Sequence, residues 1–294
     1  MMTISMTLQK ARLTGGELVF EQESGLRKAL HDGCFRLAIP ADVDVSPGIR
    51  LCREFYRPAP PGAGLGYGGF REIDGIYFDR EHFQTEHVLA DRPARERHFP
   101  EPVVRMCDQM TGLALVVLRA CLTELGVPEM LWDEITGGAV NGRGTQWFAA
   151  SHYRPERDQL GCAPHKDTGF VTVLYIEQNG LEARVGDEWA GIDAEPGYFV
   201  INFGGAFELL TESLPRPVRA ILHRVRQCRP DPLAEDRFSF AAFANPPAAG
   251  DLYRVRPDRT AEPMLSAEAF LREFNKNTWD DRYDDFGITS PAAR

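Results

Sequence analysis

His165 and Asp167 stand two residues apart in the run Pro164-His-Lys-Asp167. On an extended strand, side chains at i and i+2 point to the same face, about 7 Å apart along the chain. An imidazole and a carboxylate placed in this way can reach one metal ion together, with Lys166 turned away. A third ligand must come from elsewhere, and His223 is the best candidate. It sits in the alternating run Ile221-Leu-His-Arg-Val225, which also reads as a strand. Two imidazoles and one carboxylate on a single face leave three coordination positions open, the arrangement suited to iron(II) chemistry with oxygen. In a chain with seven histidines, one with Asp at i+2 is close to a chance event. The pair gains its weight from a second pair further along the chain.

That second pair lies in Arg237-Phe238-Ser239. Again i and i+2 share a face, so a guanidinium and a hydroxyl point the same way. The guanidinium fork can bind both oxygens of a carboxylate and the hydroxyl adds a donor. Arg237 lies 14 residues after His223. That separation allows a strand, a turn through Pro230-Asp231-Pro232, and an antiparallel return strand beside it.

The elements that must position these groups occupy the second half of the chain. From about Trp147 to Val255 the sequence breaks into short β-rich runs, among them 169–176, 197–202, 220–225 and 237–243. Strands at roughly 8–15-residue spacing suggest a sandwich or barrel rather than a parallel α/β sheet. The first half reads as largely helical. Residues 23–31 form an amphipathic stretch that Gly33 can cap, and 47–56 form another, stopped by the prolines from Pro58. The strongest helix starts after Pro102: Val103, Met106, Met110, Leu113, Val117 and Ala120 recur at helical spacing, and Gly126 closes it. The glycine-rich run 62–69 reads as a flexible loop, since no G-x-x-x-x-G-K-[ST] pattern accompanies it. Residues 267–275 return to helix. The expected fold class is mainly β with flanking helices, in one domain over 1–294. Within it, 1–145 is mostly helical, 146–255 is the β core with the metal site, and 256–294 is a C-terminal helix and tail.

Composition narrows the partners. The 294 residues carry a net charge of −10, which repels phosphate backbones and anionic headgroups, so nucleic acid and membrane are poor partner choices. No stretch approaches the roughly 20 apolar residues that cross a bilayer, and the first 16 residues lack a secretion pattern. Six scattered cysteines form no C-x-x-C pair and suit a reducing compartment, so the expected location is cytoplasmic.

The chain resembles the isopenicillin N synthase-like family of iron/2-oxoglutarate oxygenases. The resemblance runs through Tyr153-Arg-Pro155, Gln159-Leu-Gly-Cys-Ala-Pro-His-Lys-Asp167, Gly180 to Trp189, Pro196-Gly197, Val200-Ile-Asn202, Leu222-His-Arg-Val225 and Arg237-Phe-Ser239. It continues more loosely in Gly33 to Leu37 and Gly69 to Gly75, and order and spacing agree over more than 200 residues. It implies a double-stranded β-helix (jelly-roll) core with Fe(II) held by His165, Asp167 and His223. It also implies 2-oxoglutarate anchored by Arg237 and Ser239 with Tyr153 lining its pocket, and O2 as the oxidant for a C–H bond. Two positions depart from the family: Ser151 where Asn is frequent, and Gly205 where Asp usually stands.

The presence of Asp167 argues against halogenation, because related halogenating enzymes lack that carboxylate; hydroxylation, desaturation and ring closure remain open. The expected substrate is a small molecule, an amino acid or a natural-product intermediate, with Phe70, Arg71, Tyr77, Phe78 and Arg143 as pocket candidates. Two other readings stay open: an iron oxidase of the same family that does not use 2-oxoglutarate, and a non-catalytic metal- or ligand-binding jelly roll. A serine hydrolase finds no G-x-S-x-G elbow in the chain.

Overall fold

The structure, a computed structural model, describes residues 4–59, 66–279, 283 and 285–288. Its first half contains β1 (Lys10–Thr14), β2 (Glu17–Phe20), α1 (Gly25–Asp32), β3 (Cys34–Ala38), α2 (Ser46–Glu54), β4 (Tyr77–Asp79) and β5 (Thr85–Ala90). Three helices come next, α3 (Arg92–His98), α4 (Glu101–Glu124) and α5 (Glu129–Ile135). The second half holds β6 (Thr145–Tyr153), β7 (Cys162–His165), β8 (Val171–Ile176), β9 (Leu181–Val185), β10 (Glu188–Ile192) and β11 (Tyr198–Phe203). After α6 (Gly205–Thr211) come β12 (His223–Val225), β13 (Phe238–Asn245), β14 (Asp251–Val255), β15 (Ala261–Ser266) and α7 (Ala267–Thr278).

A nine-stranded sheet in the order β2-β1-β3-β11-β8-β13-β6-β5-β4 faces a four-stranded sheet in the order β10-β9-β12-β7, the two walls of a jelly roll. Alternation along the strands decides what each face does. On β6 and β13, Phe148, Ala150, Phe240 and Ala242 point outward and pack under α4 through Met106, Met110, Leu113 and Val117. The alternate residues point inward toward the small sheet. Helix α4 is long and apolar enough to cross a membrane by length and composition. Its buried stripe packs on β8 and β13 instead, as a core helix does. The helices expected at 23–31, 47–56 and after Pro102 are α1, α2 and α4, and Gly33 caps α1 in the left-handed region at φ 86°. The glycine-rich run 62–69 lies partly outside the described residues.

Two expectations need correction. The first half holds more than helices: β1 to β5 lie there and all five join the large sheet. These strands are only three to six residues long, and all six residues of β5 are buried, so little pattern marks them in the sequence apart from the alternation of Lys10–Thr14. Nor does the segment after His223 return beside it, because β12 lies in the small sheet and β13 in the large one. The loop between them crosses from one wall to the other, which aims Arg237 into the space between the sheets.

The outward side of β5 carries a buried ionic knot. Glu86, with a fully buried side chain, accepts from Arg71 at 2.6 and 2.8 Å, from the Tyr77 hydroxyl at 2.6 Å and faces His152 Nδ1 at 2.9 Å. His152 continues to Asp236 at 3.0 Å and stacks on Tyr56 at 3.9 Å. Burial pushes the Glu86 carboxyl up, but His152, Arg71, Tyr77 and the Arg154 charge outweigh it and hold the group at about 2, below its ordinary 4.5. A depressed carboxyl stabilises the fold fully above its ordinary value and loses that contribution as pH falls toward the folded value. Urea midpoints are therefore expected to drop between pH 4.5 and about 2. Glu86→Gln, which leaves the buried His152 and Arg154 without that charge while the half-exposed Arg71 turns to solvent, is expected to cost about 1–3 kcal/mol at neutral pH and to flatten that pH dependence.

Candidate metal centre

Strands β7 and β12 run antiparallel in the small sheet with His165 directly opposite His223. Each imidazole adopts the same local geometry. His165 Nδ1 lies 2.8 Å from the carbonyl of Ala163, and His223 Nδ1 lies 3.1 Å from the carbonyl of Ile221. A carbonyl only accepts, so both Nδ1 atoms carry the proton and both Nε2 lone pairs face inward. Asp167 lies two residues past the end of β7, with Oδ1 at 3.7 Å from His165 Nε2 and 3.8 Å from His223 Nε2. The three ligand-type atoms fall within 4.8 Å of one another. Lys166 turns outward to Glu208. Two imidazoles and a carboxylate gathered in this way suit a divalent metal, which would take up the electron density they direct at one point.

Beside this cluster lies a cavity of about 150 Å³ between the sheets. At one end, Arg237 is 5% exposed and its Nε donates to the Asn179 carbonyl at 3.2 Å, while its Nη1 has no protein partner. The Tyr153 ring lies under the guanidinium at 4.5 Å, and the Tyr153 hydroxyl sits 3.2 Å from Ser239 Oγ. Burial pushes the Tyr153 phenol up, so it stays a neutral hydrogen-bonding group. An unpaired buried guanidinium next to two hydroxyls fits an anionic, bidentate ligand such as a carboxylate.

The structure brings His165, Asp167, His223, Arg237, Ser239 and Tyr153 to one cavity. It does not bring the substrate candidates there. Arg71 and Tyr77 are bound to Glu86 on the far side of β5. Phe70 lies in the helix-side core against Phe99. Arg143 pairs with Asp133 on the surface. Phe78 points into a satellite cluster with Tyr283 and Phe286. Their sequence positions, outside the metal motifs and rich in Arg and aromatics, carried no information on which way they face in the fold, and only Tyr77 and Phe78 lie on a strand, β4.

The inner wall is instead built by residues that motif reasoning passed over. Thr85, His87 and Leu89 on β5 and Trp147, Ala149 and Ser151 on β6 alternate inward. Leu271, Phe274, Trp279 and Phe286 close the mouth. Arg80 is held between the rings of Trp279 at 4.0 Å and Phe286 at 4.1 Å, which ties this closure to the loop before β5. The period-two pattern of 145–153 was the available signal, and it marks a face without saying what that face looks at. His87 is kept neutral because burial, then the nearby charges of Arg80 and Arg154, hold its imidazole well below 6.5. Of the two departures from the family pattern, Ser151 lines the cavity opposite Ser239. At Gly205 an added Cβ would meet the tip of the Phe270 ring of α7 at 2.9 Å, so a side chain there would have to displace that ring.

Fold and site together define a jelly-roll protein whose cavity gathers two histidines and one carboxylate in a cluster that could hold a metal ion. Residues 144–246 match the 2OG-Fe(II) oxygenase superfamily. The chain is 29% identical over 195 residues to jasmonate-induced oxygenase 2 of Arabidopsis thaliana, covering 62% of this chain and 50% of that protein. It is 29% identical over 180 residues to gibberellin 20 oxidase 2 of Oryza sativa subsp. indica, covering 60% and 41%. The chain thus spans about half or less of the length of these curated relatives. Among solved structures it is similar to JOX2 in complex with 2OG, Fe and JA, with a TM-score of 0.68, 20% identity and coverage of 92% and 86%. It is also similar to Neurospora crassa T7H in complex with alpha-KG and thymine, with a TM-score of 0.63, 17% identity and coverage of 86% and 91%.

The unpaired Arg237 gives a direct expectation. Removing a buried charge that has no full partner relieves a cost, so Arg237→Met is expected to melt no lower than the parent without ligand. The rise in melting temperature that 2-oxoglutarate gives the zinc-loaded parent is expected to vanish in the variant. A thermal denaturation series with and without 2-oxoglutarate checks both.

Proposed function

We propose that this chain is an iron(II)- and 2-oxoglutarate-dependent dioxygenase that oxidises a C–H bond of a small molecule. The observation that supports this best is the joint geometry: three metal-type ligand atoms within 4.8 Å of one another, in a cavity that also holds an arginine nitrogen without a partner. His165, Asp167 and His223 would hold the iron, with Nδ1 of each imidazole fixed by its carbonyl so that the ring cannot turn away. Arg237, Ser239 and the Tyr153 hydroxyl would hold the distal carboxylate of 2-oxoglutarate. When bound, iron(II) and 2-oxoglutarate supply with O2 the oxidising power for the substrate, releasing succinate and carbon dioxide.

The protein's own share is binding, orientation and exclusion of water. Leu89, Leu174 and Phe243 on the strands and Phe274 and Trp279 at the mouth form the apolar wall that keeps bulk water out. Asn202 Nδ2 stands 3.5 Å from Asp167 Oδ2, a long contact that would restrain the carboxylate's rotation. The reading includes a reducing, cytoplasmic setting: all six cysteines are free, and burial pushes Cys34, Cys52, Cys107 and Cys121 up and out of the reactive thiolate range.

Purified protein given Fe(II), ascorbate and 2-oxoglutarate is expected to release succinate, with turnover stimulated by its substrate. His165→Ala and Asp167→Ala are expected to lower metal affinity by at least tenfold in equilibrium dialysis and to abolish succinate formation. Parent protein that binds iron but never consumes 2-oxoglutarate would refute the proposal.

A further inference from the structure

Among the described residues, six polar atoms of the cavity lining besides Arg237 Nη1 have no hydrogen-bond partner: Thr85 Oγ1, His87 Nε2, Trp147 Nε1, Asn202 Oδ1, Asn245 Oδ1 and Trp279 Nε1, and of these His87 Nε2 and Trp147 Nε1 flank one stretch of small side chains. His87 and Trp147 are 5% and 4% exposed, both line the cavity, and neither His87 Nε2 nor Trp147 Nε1 has a hydrogen-bond partner. Buried polar atoms are nearly always satisfied, so an orphan pair in a cavity points to a ligand that satisfies it. The indole N–H only donates, and it therefore asks for an acceptor.

The room for that ligand comes from a floor of four small side chains. On the inward faces of β6 and β13, Ser151 pairs with Ser239 and Ala149 pairs with Ala241. His87 stands beside this floor on β5, opposite Ser151, and Trp147 stands at its end opposite Phe243. Phe274 and Trp279 cover it from α7 and its C-cap.

The charge inventory is equally specific. Among the described residues that line the cavity, Asp167 and Arg237 are the only Asp, Glu, Lys or Arg, and the proposed function assigns both, to metal and co-substrate. The remaining walls are apolar or neutral. A zwitterion entering this space would lose the hydration of two charges with nothing left to pair them. A neutral ring system would bury its faces on aromatic walls and lose nothing of that kind.

We propose that the substrate is an uncharged, largely apolar ring-containing molecule with a carbonyl- or ether-type oxygen that accepts from Trp147 and a second polar group against His87. Of the amino acid or natural-product intermediate expected from the sequence it favours the latter, and it rests on the reading of the site as an iron/2-oxoglutarate centre.

The test uses two pairs of probes matched in ring system and differing in charge: coumarin against coumarin-3-carboxylate, and 4-phenyl-2-butanone against L-phenylalanine. Binding to the full chain loaded with redox-inert Zn(II) and 2-oxoglutarate is measured by titration calorimetry. The uncharged member of each pair is expected to bind at least tenfold more tightly. Trp147→Phe and His87→Phe, which keep the ring and remove the polar atom, are each expected to weaken coumarin about tenfold, the scale of one hydrogen bond. Ala149→Leu, which fills the floor, is expected to abolish coumarin binding. All three variants are expected to hold 2-oxoglutarate within twofold of the parent, which a general loss of structure would not allow. Tighter binding of a charged member, no binding of either uncharged probe, or unchanged coumarin affinity in both polar variants overturns the proposal. Failure of 2-oxoglutarate itself to bind refutes the oxygenase reading instead, and the same pairs titrated on zinc-only protein still decide the substrate class.

Discussion

Two hydrogen bonds of the same form govern this molecule: a histidine Nδ1 donating to the main-chain carbonyl two residues before it. His165 makes the bond to Ala163 and His223 makes it to Ile221, on strands that pair directly. Each bond fixes a tautomer and a ring orientation at once, and together they turn two Nε2 lone pairs toward Asp167. Without them, either imidazole would be free to rotate and satisfy its polar atoms elsewhere. The rest of the fold serves this arrangement. The small sheet sets the two rings face to face, with centroids 4.4 Å apart. The large sheet supplies the opposing wall.

That wall has two very different faces. Outward, the β6–β13 pair is sealed by α4 with close-packed aromatic and aliphatic side chains, and a buried ionic knot around Glu86 pins β5 to β6. Inward, the same strands present serine and alanine, and space is left. A protein interior is ordinarily filled to crystal-like density, so a row of small residues facing an opposing sheet is a departure that costs stability. The outward packing offsets that cost, and in this sense the rigid side of the sheet is what allows the open one.

Electrostatics divide the cavity into zones. Arg237 stands at one end with a nitrogen unpaired, the carboxylate of Asp167 in the middle, and beyond it only neutral polar atoms and apolar walls. A ligand that enters is sorted by charge: an anion belongs at the arginine end, and an uncharged body belongs on the small-residue floor. The C-terminal segment completes the enclosure because Arg80 is clasped between Trp279 and Phe286. The absence of a side chain at Gly205 leaves room for Phe270 of the same helix.

The sequence by itself determined the chemistry-bearing groups. A spacing of two singled out His165 with Asp167 and Arg237 with Ser239, although Asp167 lies past the end of β7 and Arg237 just before β13, and helical periodicity marked α1, α2 and α4, because these relations are local in the chain. Tertiary structure decided everything that depends on which surfaces meet. The five strands of the first half were missed because they are only three to six residues long, and β5 is buried on both faces and so has no polar face to alternate with. Arg237 reaches the cavity by crossing between sheets rather than lying beside His223, a choice made by sheet assembly and not by loop length. Arg71, Tyr77 and His87 sit within 17 residues of one another, yet only His87 meets the cavity. The parity of β5 and its register with β6 settle that, and parity acquires meaning only when a second sheet arrives to define an inside.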